Sequence, residues 1–592
     1  MNFIKVLLGS CLGTILGIII LFFIGFGIIS GIASMAGNKN QDPIDKNSFL
    51  EIRADRVYPE KTDNTEADAF SFNNNKILGL HDMVTAIRHA KSDPKIKGIS
   101  YRSMYSTLSP ASASVLHHAL IDFRKSGKPV YAFADAFTEG SYYIASAANK
   151  IIINPNGSVD MNGFGALIPY FKEVLDKIGV KFNIYYAGQF KSATEPFRLD
   201  KMSEQNRAQT REYLNDIYHT HLSDISAARN IPIATLQSIG NDLLIRNAED
   251  AIKYKLADSI GYLDDYYRLI SNDLSESLKE KPSMVTINRY FDSPGIKPFV
   301  SSANDKLAVV YAEGDIVDGE GQYGQIGSVK YTRILRKIRF DNKVKAVVLR
   351  VNSPGGSSLA SDNLLHEIEL LKKAGKPVVV SMGDYAASGG YYIACSADSI
   401  FAQANTLTGS IGVFFMIPNA AEMFDNKIGI NFDTVGTGRF SNAFTAVLPW
   451  SSEEGLIAQQ QTDKIYDQFL GVVSSGRKKS KEQIHEIAQG RVWTGNHAVA
   501  NGLVDKLGTL DDAIACAVRL GKLDKYKTVE YPTVKEPFQK MLDDILGMED
   551  KSEEMMLKKV FKSWYPAVST IKNMEASYYK PLMRLPFNIT LF

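Results

Sequence analysis

The sequence predicts an α/β protein built twice over, with two tandem domains of parallel βαβ units behind one N-terminal transmembrane helix. Three observations predict it. One run of sequence occurs twice, strands and helices alternate within each copy, and a long uncharged stretch precedes both. The first copy reads DPKIKGISYR from Asp93, SGKPVYAFADAFTEGSYYIA ending at Ala145, and DKIGVKFNIYYAGQFKSATEPF from Asp176. The second reads DNKVKAVVLR from Asp341, AGKPVVVSMGDYAASGGYYIA ending at Ala394, and NKIGINFDTVGTGRFSNAF from Asn426.

From Val6 to Gly37 there is no charged residue. This run outlasts the roughly 7–15 residues of a cleavable signal core and reaches the ~20 needed to span a bilayer. We therefore expect an uncleaved anchor over residues 6–35, with the lipid bilayer as its partner. Lys5 on one side and Lys39 and Lys46 on the other leave the orientation weakly specified by charge.

Asn38 to Lys46 is a polar linker. The first repeat follows at 47–275, a charged connector runs through Ser271 to Ser283, and the second repeat occupies 305–527. The extension 528–592 holds an amphipathic pattern around Phe538 to Met548 and ends in NITLF. Within the second repeat, Lys345 to Val351 is β-branched and apolar, as a buried parallel strand requires. Leu364, Leu365, Ile368 and Leu371 recur at helical spacing, and Gly375 and Pro377 close that helix. PVVVS is the next strand, and YYIACSADSIF supplies a short helix and another strand. The first repeat matches with Val115, Leu116, Ala119 and Phe123, then Gly127 and Pro129. Such alternation builds parallel layers.

At 592 residues the chain exceeds one core. Its 45% hydrophobic and 22% charged content is ordinary for a globular protein, and a net charge of +2 gives no reason to expect nucleic acid. Cys11, Cys395 and Cys516 show no disulfide or metal-site spacing, so we expect no metal and no cofactor.

The two copies differ where chemistry would reside. Ser388 of the second aligns with Glu139 of the first, and Lys191 of the first aligns with Ser441 of the second. Ser388 falls between a strand and a helix, where a helix N-terminus favours developing negative charge; an N-cap serine followed by turn glycines reads equally well. Asn352 to Ser357 (NSPGGS) follows the strand ending at Val351, at the carboxyl edge where α/β ligand sites form. A Gly-Gly amide pair there suits an oxyanion hole, and the first copy has MYSTL instead, from Met104 to Leu108. No histidine falls in a triad context and no GxSxG elbow surrounds Ser388. A lysine can serve as base if desolvation makes its neutral amine available. Lys191 sits in an uncharged segment, though a solvated surface lysine fits as well, and an ion pair with Glu195 would keep it protonated.

NSPGG, then AASGGYYIA, then TLTGSIGV (Thr406 to Val413), together with QFKSATEPF of the first copy, resemble the signal peptide peptidase A (protease IV) family of the long duplicated bacterial type, peptidase family S49. The resemblance covers most of the chain after the anchor. It implies tandem ClpP/crotonase-like domains and a membrane-anchored serine protease with a Ser/Lys dyad. By that resemblance Ser388 is the nucleophile, Lys191 the general base and Ser410 the residue orienting the lysine. Gly389 and the Gly355/Gly356 pair would supply oxyanion amides. It further implies signal peptides and other hydrophobic or unfolded peptides as substrates, a homotetramer, and a bacterial inner-membrane location with the catalytic bulk in the periplasm. A crotonase-like acyl-CoA enzyme and a non-catalytic membrane scaffold are the alternatives.

Overall fold

The two sequence repeats fold into two copies of one parallel sheet, each strand of one having its counterpart in the other. The computed structural model describes residues 47–62, 77–277, 280–293, 303–533 and 581–584, with isolated positions 13, 17, 20, 44 and 296. The predicted anchor at 6–35 therefore lies almost entirely outside the described residues, and the amphipathic pattern at 538–548 wholly so. Among the described residues no helix is long and apolar enough to cross a membrane.

The first repeat contributes β1 (Ser48–Ile52), β2 (Ile96–Tyr101), β3 (Val130–Ala134), β4 (Lys150–Ile153), β5 (Lys181–Ala187), β6 (Ser259–Ile260) and β7 (Met284–Thr286). All but β5 form a parallel sheet in the order β6-β4-β3-β2-β1-β7. Its edge strand β7 lies past residue 275 and just beyond the Ser271–Ser283 connector, so the first sheet extends further along the chain than the predicted repeat boundary. Helices α1 (Leu80–Ser92), α2 (Pro110–Arg124), α3 (Glu139–Ala145) and α4 (Glu204–Arg229) belong to this repeat. Leu50, Ile99, Val130, Ile151 and Leu116 share its core.

The second repeat supplies β8 (Lys306–Glu313), β9 (Asp315–Val317), β10 (Gln325–Gly327), β11 (Val344–Ser353), β12 (Gly355–Ser357), β13 (Val378–Ala387), β14 (Ser399–Ala402), β15 (Leu407–Gly409), β16 (Val413–Asn419), β17 (Val492–Thr494), β18 (Lys506–Leu507) and β19 (Lys527–Tyr531). The path β18-β14-β13-β11-β8-β19 is parallel throughout and reproduces the first sheet strand for strand. The helix predicted from Leu364 to Leu371 is α5 (Ser358–Lys373). It ends where predicted, with Gly375 at φ +76° donating its N–H to Lys372. A short helix α6 (Gly389–Ala394) follows β13, and α7 (Ser452–Arg477) is the long helix of this repeat.

The repeats diverge beyond the carboxyl edge of the shared sheet. In the second repeat β13 runs on to pair with β15, with Ala386 opposite Thr408. In the first repeat only the isolated bridge Phe137–Val159 remains of that pairing. A further sheet runs β10-β9-β12, then a C-terminal strand β20 (Leu582–Arg584), then β16 and β5. There β5 of the first repeat pairs antiparallel with β16 of the second, from Ala187 opposite Val413 to Lys181 opposite Asn419. A buried ion pair adds to the seam: Arg350 on β11 donates through Nε and Nη2 to Glu60 of the first repeat at 2.8 and 3.1 Å.

Candidate active site

Ser388 stands at the turn from β13 into α6 and is fully buried. Its backbone at φ 55° and ψ −116° lies in a region that favours glycine, and a strained serine of this kind costs on the order of 1–3 kcal/mol. The turn is fixed by hydrogen bonds from Ser388 N to Gly409 O and from Tyr392 N to Ser388 O, both 2.8 Å. Although Ser388 occupies the N-cap position, its hydroxyl makes no capping bond. That observation separates the two readings of the sequence, because the hydroxyl is left to Lys191.

The β5–β16 pairing delivers the lysine. The chain leaves β5 at Ala187, turns at Gly188, and donates Phe190 N–H to Gln489 O at 2.8 Å. Because Ala187 lies opposite Val413 in antiparallel register, residues just past Ala187 meet those just before Val413. Lys191 Nζ accordingly lies 2.8 Å from Ser388 Oγ, 3.0 Å from Ser410 O and 3.1 Å from Ser410 Oγ. Lys191 is 1% exposed, and burial alone holds its amine well below the usual lysine range. All three contacts place Nζ between the Ser388 hydroxyl and the two Ser410 oxygens.

Glu195 does not form the ion pair that would keep Lys191 charged. Its carboxylate accepts from Ser203 N and Oγ and from Asn206 Nδ2, with Arg198 at 3.9 Å. Among the described residues no carboxylate lies within 4.0 Å of Lys191 Nζ.

The glycines gather at the same turn. A Cβ built on Gly355 would stand 2.8 Å from Gly389 N, and one on Gly389 3.2 Å from Gly356 N. The Gly355 amide itself donates to Ser353 Oγ at 3.2 Å. Gly355, at φ +104°, therefore shapes the bend, while the Gly356 and Gly389 amides border the space beside Ser388.

Several positioning residues carried no sequence signal. Gly490, at φ +81°, packs so tightly that a Cβ there would stand 2.6 Å from Lys191 N. Its neighbour Arg491 accepts Ser410 N–H at 2.7 Å. Gln209 on α4 donates to Phe190 O and Ser192 Oγ, bracing both sides of Lys191. Only the fold shows these crossings, since each joins segments remote in sequence.

At the aligned positions of the first repeat, Glu139 begins α3 and is buried, with Oε2 accepting from the amides of Asn162 and Gly163 at 3.1 and 3.0 Å. Burial pushes its carboxyl up to about 7. Ser441, the counterpart of Lys191, is exposed.

Comparison with known proteins assigns the chain. The model of Peptidase family S49 matches twice, over residues 122–275 and 370–524. The chain belongs to peptidase family S49. It is a serine protease with two S49 domains in tandem. Protease 4 of Haemophilus influenzae is 36% identical over 84% of this S49 chain and 83% of its own length. Protease 4 of Salmonella typhi is 37% identical over 86% and 84%. The chloroplastic serine protease SPPA of Arabidopsis thaliana is 28% identical over 80% and 70%. Among solved structures, ClpP1 from Listeria monocytogenes matches with a TM-score of 0.23 and 17% identity, covering 34% of this chain and 92% of that one. S49 membership sets aside the acyl-CoA and scaffold alternatives.

Proposed function

We propose that this protein is a membrane-anchored endopeptidase in which Lys191 of the first repeat is the general base for Ser388 of the second, acting on signal peptides and other hydrophobic or unfolded peptides. The contact of 2.8 Å between Nζ and Oγ, in a pocket where burial lowers the amine's pKa well below the usual lysine range, carries this reading.

Neutral Lys191 takes the Ser388 proton as Oγ attacks the peptide carbonyl carbon. The Gly389 and Gly356 amides stabilise the tetrahedral oxyanion, each such donor being worth about 10²–10³ in rate. Lys191, held by Ser410, then gives its proton to the leaving amine, leaving an acyl ester on Ser388. Water, deprotonated by the same amine, hydrolyses the ester and restores both residues. The buried strain at Ser388 favours this role, because it holds Oγ toward the amine before substrate arrives.

Relatives named Protease 4, and the Enterococcus faecium protein named putative signal peptide peptidase SppA, 35% identical over 39% of this chain, support the substrate class. The uncharged run at 6–37 supports a single-pass anchor, and the family resemblance adds the inner membrane and a periplasmic catalytic bulk. The homotetramer implied by the family resemblance is part of the same reading.

The test is hydrolysis of a fluorogenic apolar peptide by the detergent-solubilised full chain. Ser388→Ala and Lys191→Ala should both fall to background with unchanged circular dichroism. Full activity in either variant rejects the dyad.

A further inference from the structure

Two imidazoles and a carboxylate that the dyad does not use converge in the first repeat. His117 and His118 lie on α2 and Asp224 on α4, and one ligand atom from each stands within 4.8 Å of the other two. Among the described residues this is the one group of three histidine, cysteine or acidic side chains so spaced. Sequence spacing gave no sign of it, because His118 and Asp224 are 106 positions apart.

The His118–Asp224 pair alone would be an ordinary surface contact. His118 Nε2 lies 3.2 Å from Asp224 Oδ1, with side chains 58% and 20% exposed. His117 is what an ion pair does not explain. It is 2% exposed, and its Nδ1 is buried without a hydrogen-bond partner, although buried polar atoms are normally satisfied. The tautomer follows from its neighbours. Ser146 donates its hydroxyl proton to Tyr143 O at 2.6 Å, so at 3.3 Å it accepts from His117 Nε2. The lone pair is therefore on Nδ1. Burial also pushes the pKa of His117 down to about 3, which keeps that lone pair free of a proton.

The surroundings orient these donors as metal ligands are oriented, through hydrogen bonds to their far sides. Ser146 fixes the His117 ring, Tyr143 stacks on that ring with centroids 4.7 Å apart, and the Tyr143 hydroxyl donates to Asp224 Oδ2. Asp224 Oδ1 is left to His118, whose Nδ1 meets Ser114 Oγ at 3.5 Å. Ligand atoms about 2.0–2.2 Å from a tetrahedral zinc ion stand roughly 3.4 Å from one another. His118 Nε2 and Asp224 Oδ1 already have that separation, and the group as a whole closes from at most 4.8 Å. His118 also lines a cavity of about 350 Å³ between the repeats, shared with His81, Gln403 and Asp511, which gives an ion and its water a way in.

We propose that His117, His118 and Asp224 bind one zinc ion, with water in the remaining position, and that the ion clamps α2 to α4. Two imidazoles and one carboxylate suit zinc and leave its coordination open. Helix α4 also carries Gln209, which braces both sides of Lys191, so the clamp steadies a helix on which the catalytic seam leans.

The experiment is calorimetric titration of zinc chloride into the untagged, chelator-treated full chain in detergent near neutral pH, with a thermal melt of each sample. Wild type should bind one zinc per chain, and saturating zinc should raise its melting temperature by about 5 °C. His118→Ala, at an exposed position, should lose both the binding and the shift while keeping the metal-free melting temperature, and Asp224→Asn should also lose the zinc. Ser146→Ala, which frees the far side of His117, should weaken binding by about 10–100-fold. His81→Ala, in the same cavity but outside the ligand set, should bind as wild type does. No zinc uptake by wild type overturns the site, as does uptake at wild-type affinity by His118→Ala or its loss in His81→Ala. Zinc bound with no change in melting temperature overturns the clamp.

Discussion

Lys191 Nζ and Ser388 Oγ lie 2.8 Å apart although they belong to different repeats and stand 197 positions apart in the chain. Each is buried, and neither has its partner type at the aligned position of its own repeat, where Ser441 and Glu139 stand. Duplication followed by complementary loss has left one site across the seam.

The protonation of Lys191 sets the acid limb of the rate. Burial lowers its pKa, so the neutral base is present above that lowered value and lost as pH falls through it. kcat/KM should rise with pH along a single limb lying well below the ordinary lysine range and then level off. A limb at the ordinary lysine value, from kcat/KM profiles of the full chain, contradicts a desolvated base.

Gly490 fixes where Lys191 sits. Gly490→Ala places a methyl 2.6 Å from Lys191 N and forces a left-handed alanine, a strain of about 1–2 kcal/mol. An ångström of displacement at a catalytic group costs about 10²-fold. We expect kcat to fall by about that factor with KM little changed, and steady-state kinetics beside a thermal melt checks it. Wild-type kcat would remove Gly490 from the positioning set.

The Glu60–Arg350 pair ties the repeats together, with side chains 4% and 6% exposed. Glu60→Ala leaves a buried guanidinium without its carboxylate and should cost about 3–5 kcal/mol in thermal or denaturant unfolding. The double variant Glu60→Leu with Arg350→Met should recover much of that loss. A single variant as stable as wild type contradicts the seam described here.

Glu139 gives the first repeat a pH-dependent stability. Its carboxyl is raised to about 7 in the fold from an ordinary 4.5, so between those values the folded chain binds more protons than the unfolded one. Stability is therefore greatest below that window and declines as pH rises through it, by on the order of 3 kcal/mol. Glu139→Gln keeps an acceptor for the Asn162 and Gly163 amides and should flatten the decline in melting temperature. An unchanged slope would assign the pH dependence to other groups.

The duplication made the fold legible: aligned strands and helices in the sequence became two sheets of matching order. Ser388 was marked by its place between a strand and a helix, whereas Lys191 and Ser410 were picked out only through the resemblance of their motifs to the family. Gly490 and Gln209 were not, since their roles arise where the first repeat's chain crosses the second. The segment 581–584 was opaque for a related reason. Its place depends on backbone pairing with β12, which leaves little trace in side-chain pattern. The edge strand β7 fell outside the predicted repeat because three paired residues give too short a run to register.

The central claim is that the first repeat's lysine activates the second repeat's serine. It is tested most directly by labelling the full chain with a fluorophosphonate, which marks activated serines, and locating the adduct by mass spectrometry. We predict one adduct on Ser388 in wild type, and none in Lys191→Ala whose melting temperature shows it folded. Ser388 labelled equally fast in that variant would contradict the account.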